Sequence, residues 1–501
     1  MSSFRPVGNS KQAPHWESDV DELLHFIDGE WRRGSGGDPR PNRNPARAST
    51  ILNAAHAGTP ADALAAIDAA ERAFRDWRDT PAPERGKIVQ RAAQILESRR
   101  MELGRALTQE EGKILPEALA EVDRGLANMY FSASEGTRMH GQTIPSAQRN
   151  ILIYTQKVPL GVVAIITPWN FPFCIPAWKI APALVAGNTV VFKPASLVPW
   201  CAQILAQAYA EAGLPKGVLN LIMGDGSTVG NVIVEDPRIK AISFTGSNLV
   251  GQRLYQQAAA RMCRVQLELG GKNPVVVLED ADLKKAAADV VLGAYGSSGQ
   301  RCTATSRAVV VEPIYKRFTE MVADRAEQLV TGDGLESGVT MGPIVDDSQR
   351  DTVLEYIKQG QEDGATLLLD GSSPSRDALR DGYFVEPTIF VGVTRNMTIA
   401  QDEIFGPVLS IMPATDFGDA MSIANDIRYG LSSSIYTRDL GRALAYARES
   451  EAGMLHVNIP TLGGEAQVPF GGTKGSGLGA HECGEAGFDF FSDERIVYVA
   501  G

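Results

Sequence analysis

Five cysteines in 501 residues, at 174, 201, 263, 302 and 483, are an odd number spread too thinly for a disulfide framework. They read as reduced thiols, which points to a cytoplasmic protein. No Cys/His set has structural zinc spacing and the six histidines are scattered, so no metal is expected. Basic residues are in the minority: 48 Lys and Arg against 60 Asp and Glu give a net charge of −12. Such a surface repels phosphate backbones and argues against a nucleic-acid partner. Apolar runs such as 162–166 fall far short of a membrane span. Residues 1–16 are polar and mixed in charge, without the apolar core of a secretory signal. No repeat of solenoid length is visible. What is present is an ordinary globular composition, 44% hydrophobic and 22% charged, in a chain too long for one core. Two or three domains are expected.

The stretch 29–47, rich in Gly, Pro and Arg, reads as a loop. Helix is predicted from Thr59-Pro60-Ala61-Asp62, where Thr59 can cap, Pro60 suits the first position and Asp62 the first turn. Leu64, Ile67, Ala70, Phe74 and Trp77 then mark one buried face. Pro81 and Pro83 interrupt, and further helix runs from 88 to about 134. From 151 the pattern changes: β-rich runs at 162–167, 189–193, 218–223 and 241–245 alternate with helical ones. Nearly all-apolar strands in that alternation predict a parallel sheet covered on both faces. Such a sheet binds ligands beyond its strands' C-terminal ends, where Pro168-Trp169-Asn170, Lys193-Pro194-Ala195-Ser196 and Thr245-Gly246-Ser247 gather. A second alternating block starts at 274–278 and passes through a helix at 283–295. The strand-like end at 495–499 has no partner in this reading and predicts pairing with another subunit.

Thr245-Gly246-Ser247 opens a helix after a strand, a place for a pyrophosphate on free backbone N–H groups. Its spacing departs from G-x-G-x-x-G, and Gly224-Asp225-Gly226 is no cleaner, so either is equally a glycine-rich turn. Lys193, ending a buried strand, meets an anion or snorkels to solvent. Glu268 stands opposite the leucines of its strand, either as a base for a thiol or water or as an ordinary solvated residue. Cys302 lies in a polar loop with Gly299, Gln300 and Arg301; a cation beside it favours the nucleophilic thiolate, against the alternative of a buried structural thiol.

These residues, taken with their neighbours, resemble the NAD(P)-dependent aldehyde dehydrogenases over nearly the whole chain, from about residue 28 to 499. The resemblance rests on Thr167-Pro168-Trp169-Asn170-Phe171-Pro172, Phe192-Lys193-Pro194, Phe244-Thr245-Gly246-Ser247, Leu267-Glu268-Leu269-Gly270-Gly271-Lys272, Gly299-Gln300-Arg301-Cys302, Glu403-Ile404-Phe405-Gly406-Pro407 and Pro469-Phe470-Gly471-Gly472, all in the family's order. It implies an α/β fold: a Rossmann-like parallel-sheet cofactor domain (28–139 and 160–269), a second α/β catalytic domain (270–484) and a small β oligomerisation arm (140–159 and 485–501), after an N-terminal tail (1–27). A homodimer or homotetramer follows from the arm. The implied chemistry is oxidation of an aldehyde to an acid through a thiohemiacetal and a thioester on Cys302. Glu268 would activate the hydrolytic water, and the Asn170 amide and the Cys302 N–H would hold the oxyanion. Lys179 joins these as a catalytic residue. NAD or NADP would bind along Ile166, Thr167, Pro168, Trp169, Lys193, Ser196, Gly226, Gly230, Phe244, Thr245, Gly246, Ser247, Leu269, Glu403 and Phe405. Many NAD-preferring relatives carry Glu where this chain has Ser196, so tolerance of NADP is expected.

By family position, Phe171, Cys174, Trp178, Arg301, Thr303, Pro460 and Phe470 line the substrate tunnel. Relatives acting on succinate semialdehyde often have Arg at the place of Trp178, whereas 299–307, 456–458 and 464–466 look most like the branch oxidising 2-oxoglutarate semialdehyde. That small acidic semialdehyde is the expected substrate, with Arg301 meeting its distal carboxylate. The aromatic residues also suit neutral aliphatic or aromatic aldehydes, and succinate semialdehyde remains open. A CoA-acylating enzyme would typically lack Glu268. A cysteine hydrolase would leave the Lys193 and Ser247 clusters unexplained, and a non-catalytic relative usually loses the nucleophile or base.

Overall fold

The computed structural model describes residues 21–372 and 376–501. The polar stretch 1–16, and with it most of the expected tail, lies outside the described residues. Residues 21–27, also expected in that tail, form two short strands, Asp21–Leu23 and His25–Ile27. Among the described residues all five cysteines are free thiols, and no helix is long and apolar enough to cross a membrane.

Strand Val162–Ile166 is the pivot of an eight-stranded sheet. On one side it pairs in parallel with Thr189–Lys193, which pairs with Leu219–Leu221. On the other it pairs in parallel with Ile239–Thr245, which pairs with Arg264–Glu268. Chain order therefore runs outward in both directions from this strand, which makes it a topological switch point. Its side chains alternate between faces: Val163 and Ile165 join a core with Leu96, Leu103 and Leu126 of the helical layer, while Val162, Ala164 and Ile166 join Ala63, Ala66 and Ile67. Both faces are dry, which is why these strands read as unbroken apolar runs.

The helix over Ala63 is Pro60–Asp79, and it begins where the sequence predicts. The Thr59 backbone N–H donates to Asp62 Oδ2 at 2.9 Å, and the Asp62 N–H donates back to Thr59 Oγ1 at 3.4 Å, a reciprocal capping box. Ala82–Ser98 opens earlier than expected, because Pro83 sits in its first turn rather than breaking it. Helices Arg100–Glu111 and Leu115–Glu135 complete the layer.

A seven-stranded sheet forms the second unit, with Asn273–Val277, Thr305–Val311, Val408–Ala414 and Ser432–Tyr436 as parallel inner strands. Helix Leu283–Tyr295 has the predicted bounds.

Two expectations are corrected. The stretch 29–47 is no loop: Gly36–Asn44 pairs antiparallel with Arg47–Ala57. Pro39 and Pro41 misled the reading, and they are tolerated because Gly36–Asn44 is an edge strand that spares their missing N–H groups. The terminal strand is not unpaired either. Ser492–Ala500 runs antiparallel to Ile151–Pro159 along its full length, and Thr143–Ile144 completes a three-stranded sheet. One edge of Ser492–Ala500 stays open, with Ile496, Tyr498 and Val499 exposed.

Candidate active site

The three polar clusters at the strand ends meet as the topology requires. They line a 640 Å³ crevice beyond the switch point, formed by Ile166, Thr167, Pro168, Trp169, Lys193, Gly226, Gly230 and residues 244–247. A 290 Å³ cavity continues inward, sharing Pro168, Trp169 and residues 245–247 and adding Asn170, Leu269, Cys302, Glu403 and Phe405. Ser196 alone of the expected cofactor residues lines neither space; it is exposed on the rim, its hydroxyl donating to the Gly224 carbonyl at 3.1 Å.

This crevice fits a dinucleotide. Helix Asn248–Ala259 starts directly after Ser247, so its first-turn N–H groups face the strand ends. Lys193 is 6% exposed, its ammonium reaches only the Pro194 carbonyl among the described residues, at 3.0 Å, and burial lowers its pKa to about 8. A buried lysine without a carboxylate partner suits the hydroxyls of a ribose. At the inner end Glu403 accepts the Gly271 N–H at 2.8 Å, and burial pushes its carboxyl up to about 7. Trp169 and Phe405 meet edge to face, their ring centres 5.3 Å apart. Arg253 and Gln257 on the outer wall, and Gln349, Thr352 and Tyr356 on the inner one, were missed. On their helices they read as ordinary solvent-facing residues, and no motif marks them.

Cys302 hangs from a tight turn. Ser297, Ser298 and Gly299 all have positive φ, and a Cβ on Gly299 would strike the Gly406 carbonyl. Asn273 Nδ2 donates to the Cys302 carbonyl and the Ala304 carbonyl at 2.8 Å each, which holds the loop from below. Asn170 Nδ2 reaches the Gln300 carbonyl at 3.0 Å. The expectation of a favoured thiolate is corrected. Burial, then the carboxylates of Glu403 and Glu268, push the Cys302 thiol up to about 12, and the cation that opposes them is Arg124, not Arg301. Glu268 ends strand Arg264–Glu268, is 3% exposed, and its Oε2 has no hydrogen-bond partner among the described residues. Burial and then Glu482 raise its pKa well above the carboxylate range. It is therefore no solvated strand residue.

Lys179 sits behind Glu268, 1% exposed, donating to Ser243 Oγ at 2.7 Å and paired with Glu482. Glu482 also accepts from Trp178 Nε1 at 2.7 Å. No local signal marks Glu482, which lies outside the quoted motifs and any periodic element.

Around the cavity mouth Cys174, Trp178, Phe470 and Cys483 pack with Phe171 and Cys302, and the Trp178 and Phe470 rings lie 5.4 Å apart. Thr303 is buried, its carbonyl accepting from Thr461 Oγ1 at 2.8 Å, and Pro460 is half-buried beside it. Arg301 is not a free cation. Its Nη2 donates to Glu117 Oε1 at 3.2 Å and to Ser297 Oγ at 2.9 Å, because Glu117 on helix Leu115–Glu135 reaches the same turn. The guanidinium without an acid is Arg124, missed because it reads as a helix-surface residue. It lies over the Trp178 and Phe470 rings at 5.3 and 5.8 Å, and its buried Nε has no acceptor among the described residues. Gly464 makes room for it: a Cβ there would overlap Arg124 Nη2.

Residues 31–497 match the model of the aldehyde dehydrogenase family. An alpha-ketoglutaric semialdehyde dehydrogenase of Bacillus subtilis is 46% identical over 477 residues, 95% of this chain and 98% of that protein. An alpha-ketoglutarate semialdehyde dehydrogenase of Haloferax volcanii is 44% identical, covering 96% and 99%. The crystal structure of a betaine aldehyde dehydrogenase from Staphylococcus aureus with NAD+ superposes with a TM-score of 0.93 at 34% identity, covering 95% of this chain and 94% of that one.

Proposed function

We infer the substrate and the division of labour in this site from one established point: the chain belongs to the aldehyde dehydrogenase family and is an NAD(P)-dependent aldehyde dehydrogenase. The substrate is a small acidic semialdehyde of the 2-oxoglutarate semialdehyde kind, the class named for the Bacillus and Haloferax relatives. Arg124 carries this reading: a guanidinium with no acid partner among the described residues, over the aromatic collar beside Cys302, is matched by a carboxylate on the far end of the aldehyde. Arg301, its charge already met by Glu117, contributes less. Arg124→Met is expected to lower kcat/KM for 2-oxoglutarate semialdehyde by about 10- to 100-fold, the worth of one charge-assisted pair, with benzaldehyde unaffected and Arg301→Met milder. Equal losses on both aldehydes would sink the contact and favour the neutral-aldehyde reading, for which the Trp178–Phe470 collar also provides.

Within the site Glu268 takes the thiol proton and Cys302 sulfur bonds to the aldehyde carbon. The developing oxyanion is held by the Asn170 amide and the Cys302 backbone N–H, each donor worth about 3 to 4 kcal/mol in such sites. A nicotinamide cofactor held by Lys193, the first turn of Asn248–Ala259 and Glu403 would supply the hydride acceptor, and loss of hydride from the thiohemiacetal carbon leaves a thioester on Cys302. Glu268, having lost its first proton to solvent, then draws one from water as the hydroxide attacks the thioester carbon. The C–S bond breaks, and the acid and the free thiol result. Lys193 and the first turn of Asn248–Ala259 hold the adenosine ribose and pyrophosphate, and Glu403 the second ribose.

Because Ser196 is neutral and on the rim, NADP is used alongside NAD. Comparable kcat/KM values for the two cofactors are expected, and Ser196→Glu should raise KM for NADP selectively; strict NAD use would refute this. Segments 28–139 and 160–269, which supply six of the eight strands of the first sheet, form the cofactor unit, 270–484 with the seven-stranded sheet the catalytic one, and 140–159 and 485–501, with the sheet of Ser492–Ala500, an arm. The arm's open edge supports a homodimer or homotetramer, and the free thiols support a cytoplasmic setting.

A further inference from the structure

We propose that Lys113 is a positioning residue for the oxyanion site, acting through the backbone carbonyl of Asn170. The proposal rests on the reading of Asn170 as an oxyanion donor. The Lys113 side chain is fully buried between helices Arg100–Glu111 and Leu115–Glu135. Its ammonium donates to Glu121 Oε2 at 2.6 Å and to the Asn170 carbonyl at 2.7 Å, and lies 3.7 Å from Glu111 Oε2. The other oxygen of Glu121 accepts the backbone N–H groups of Phe173 and Cys174 at 2.9 and 3.1 Å. One ion pair thus grips both ends of the segment that carries Asn170.

The opposite wall is held from the same pair of helices. Glu117 Oε1 accepts the Ser297 N–H at 2.8 Å, in the turn that leads to Cys302. The Asn170 amide spans between the two walls, donating to the Gln300 carbonyl. The two expected oxyanion donors, from different sheets, are registered by one helical hairpin.

Stability alone does not account for the arrangement. Burying an ammonium and its carboxylates is costly, and a packed apolar set of the same volume would serve the core as well or better. Burial works against the lysine's charge, yet Glu111 and Glu121 hold its pKa above the ordinary value, so the cation persists. A fixed cation on a carbonyl sets the orientation of the peptide from which the Asn170 side chain departs. Mispositioning a donor by about 1 Å costs on the order of 100-fold in rate.

The test is a double-mutant cycle in the full-length enzyme, with kcat, KM for NAD(P) and the melting temperature measured for Lys113→Met, Asn170→Ala and the double variant. Lys113→Met is expected to lower kcat by about 10- to 100-fold with KM for NAD(P) unchanged, and to cost almost nothing further when Asn170 is already alanine. Equal losses in both backgrounds, or a matching rise in KM for NAD(P), would overturn the proposal and make Lys113 an ordinary core residue. An Asn170→Ala variant with full activity would instead remove the oxyanion reading beneath it. Should Lys113→Met fail to fold, Glu121→Gln, which keeps acceptors for the Phe173 and Cys174 N–H groups, enters the same cycle with the same expected dependence on Asn170.

Discussion

Replacing Cys302 by alanine is expected to abolish aldehyde oxidation, a loss of about 10,000-fold or more in kcat, since a nucleophile removed from an acting unit takes the whole unit's contribution with it. No other thiol can stand in. Cys174 and Cys483 share the collar, but burial raises the Cys174 thiol to about 12 and that of Cys483 well above its usual range, and the motif that carries Asn273, Gln300 and the left-handed turn serves Cys302 alone. NADH formation with a saturating acidic semialdehyde measures the loss. Cofactor affinity, followed by NADH fluorescence, should change far less than kcat, because the outer crevice with Lys193 and the first turn of Asn248–Ala259 is lined without Cys302. Residual turnover within a hundredfold of the parent enzyme would transfer the chemistry away from this loop.

Glu268→Gln should separate the two halves of the reaction. A positioned general base contributes about 100- to 10,000-fold, and the hydrolytic step, which starts from a weak nucleophile, needs it most. Steady-state kcat is expected to fall within that range, while rapid mixing shows one equivalent of NADH per site before turnover stalls on the thioester. The missing burst, with hydride formation slowed as much as hydrolysis, would overturn this order and make thiol deprotonation, not water activation, the step that most needs Glu268. The pH profile follows from the burial of this carboxyl. Its pKa lies well above the ordinary value, so at acid pH it is protonated and cannot accept. Activity should therefore fall on the acid side at a pH well above about 4.3, where an unperturbed glutamate titrates. Glu268→Gln should flatten that limb.

The cofactor crevice was legible because its signals are local: apolar strands, each ended by a polar cluster, predict by topology alone where those clusters meet. Lys193, Thr245 and Ser247 needed no contact information. Cys302 and Glu268 stand out through short motifs. What escaped was pairwise. Arg124 and Arg301 are both arginines near the chemistry, and nothing in a linear string says that Glu117 neutralises one and leaves the other unmatched. The state of the Cys302 thiol was misjudged for the same reason, since Arg301 is its neighbour in sequence while Glu403 and Glu268 are its neighbours in space. Stretch 29–47 failed differently: its prolines are loop signals everywhere except on a sheet edge, and edges are a property of the assembled sheet.

Strand Arg264–Glu268 owes its outer neighbour to a distant part of the chain: Gly477–Leu478 pairs along it, Leu267 opposite Leu478 and Glu268 opposite Gly477. On the ribosome, the sheet from Val162 onward can form soon after residue 268 emerges, but it does so with a bare backbone edge beside the base. That edge stays open through the synthesis of the entire second sheet and closes only when residues 477–478 arrive. A nascent chain of intermediate length thus displays an unprotected strand, the kind of surface that recruits chaperones or other nascent chains. Translation, and not only sequence, sets the moment at which Glu268 acquires its permanent neighbour.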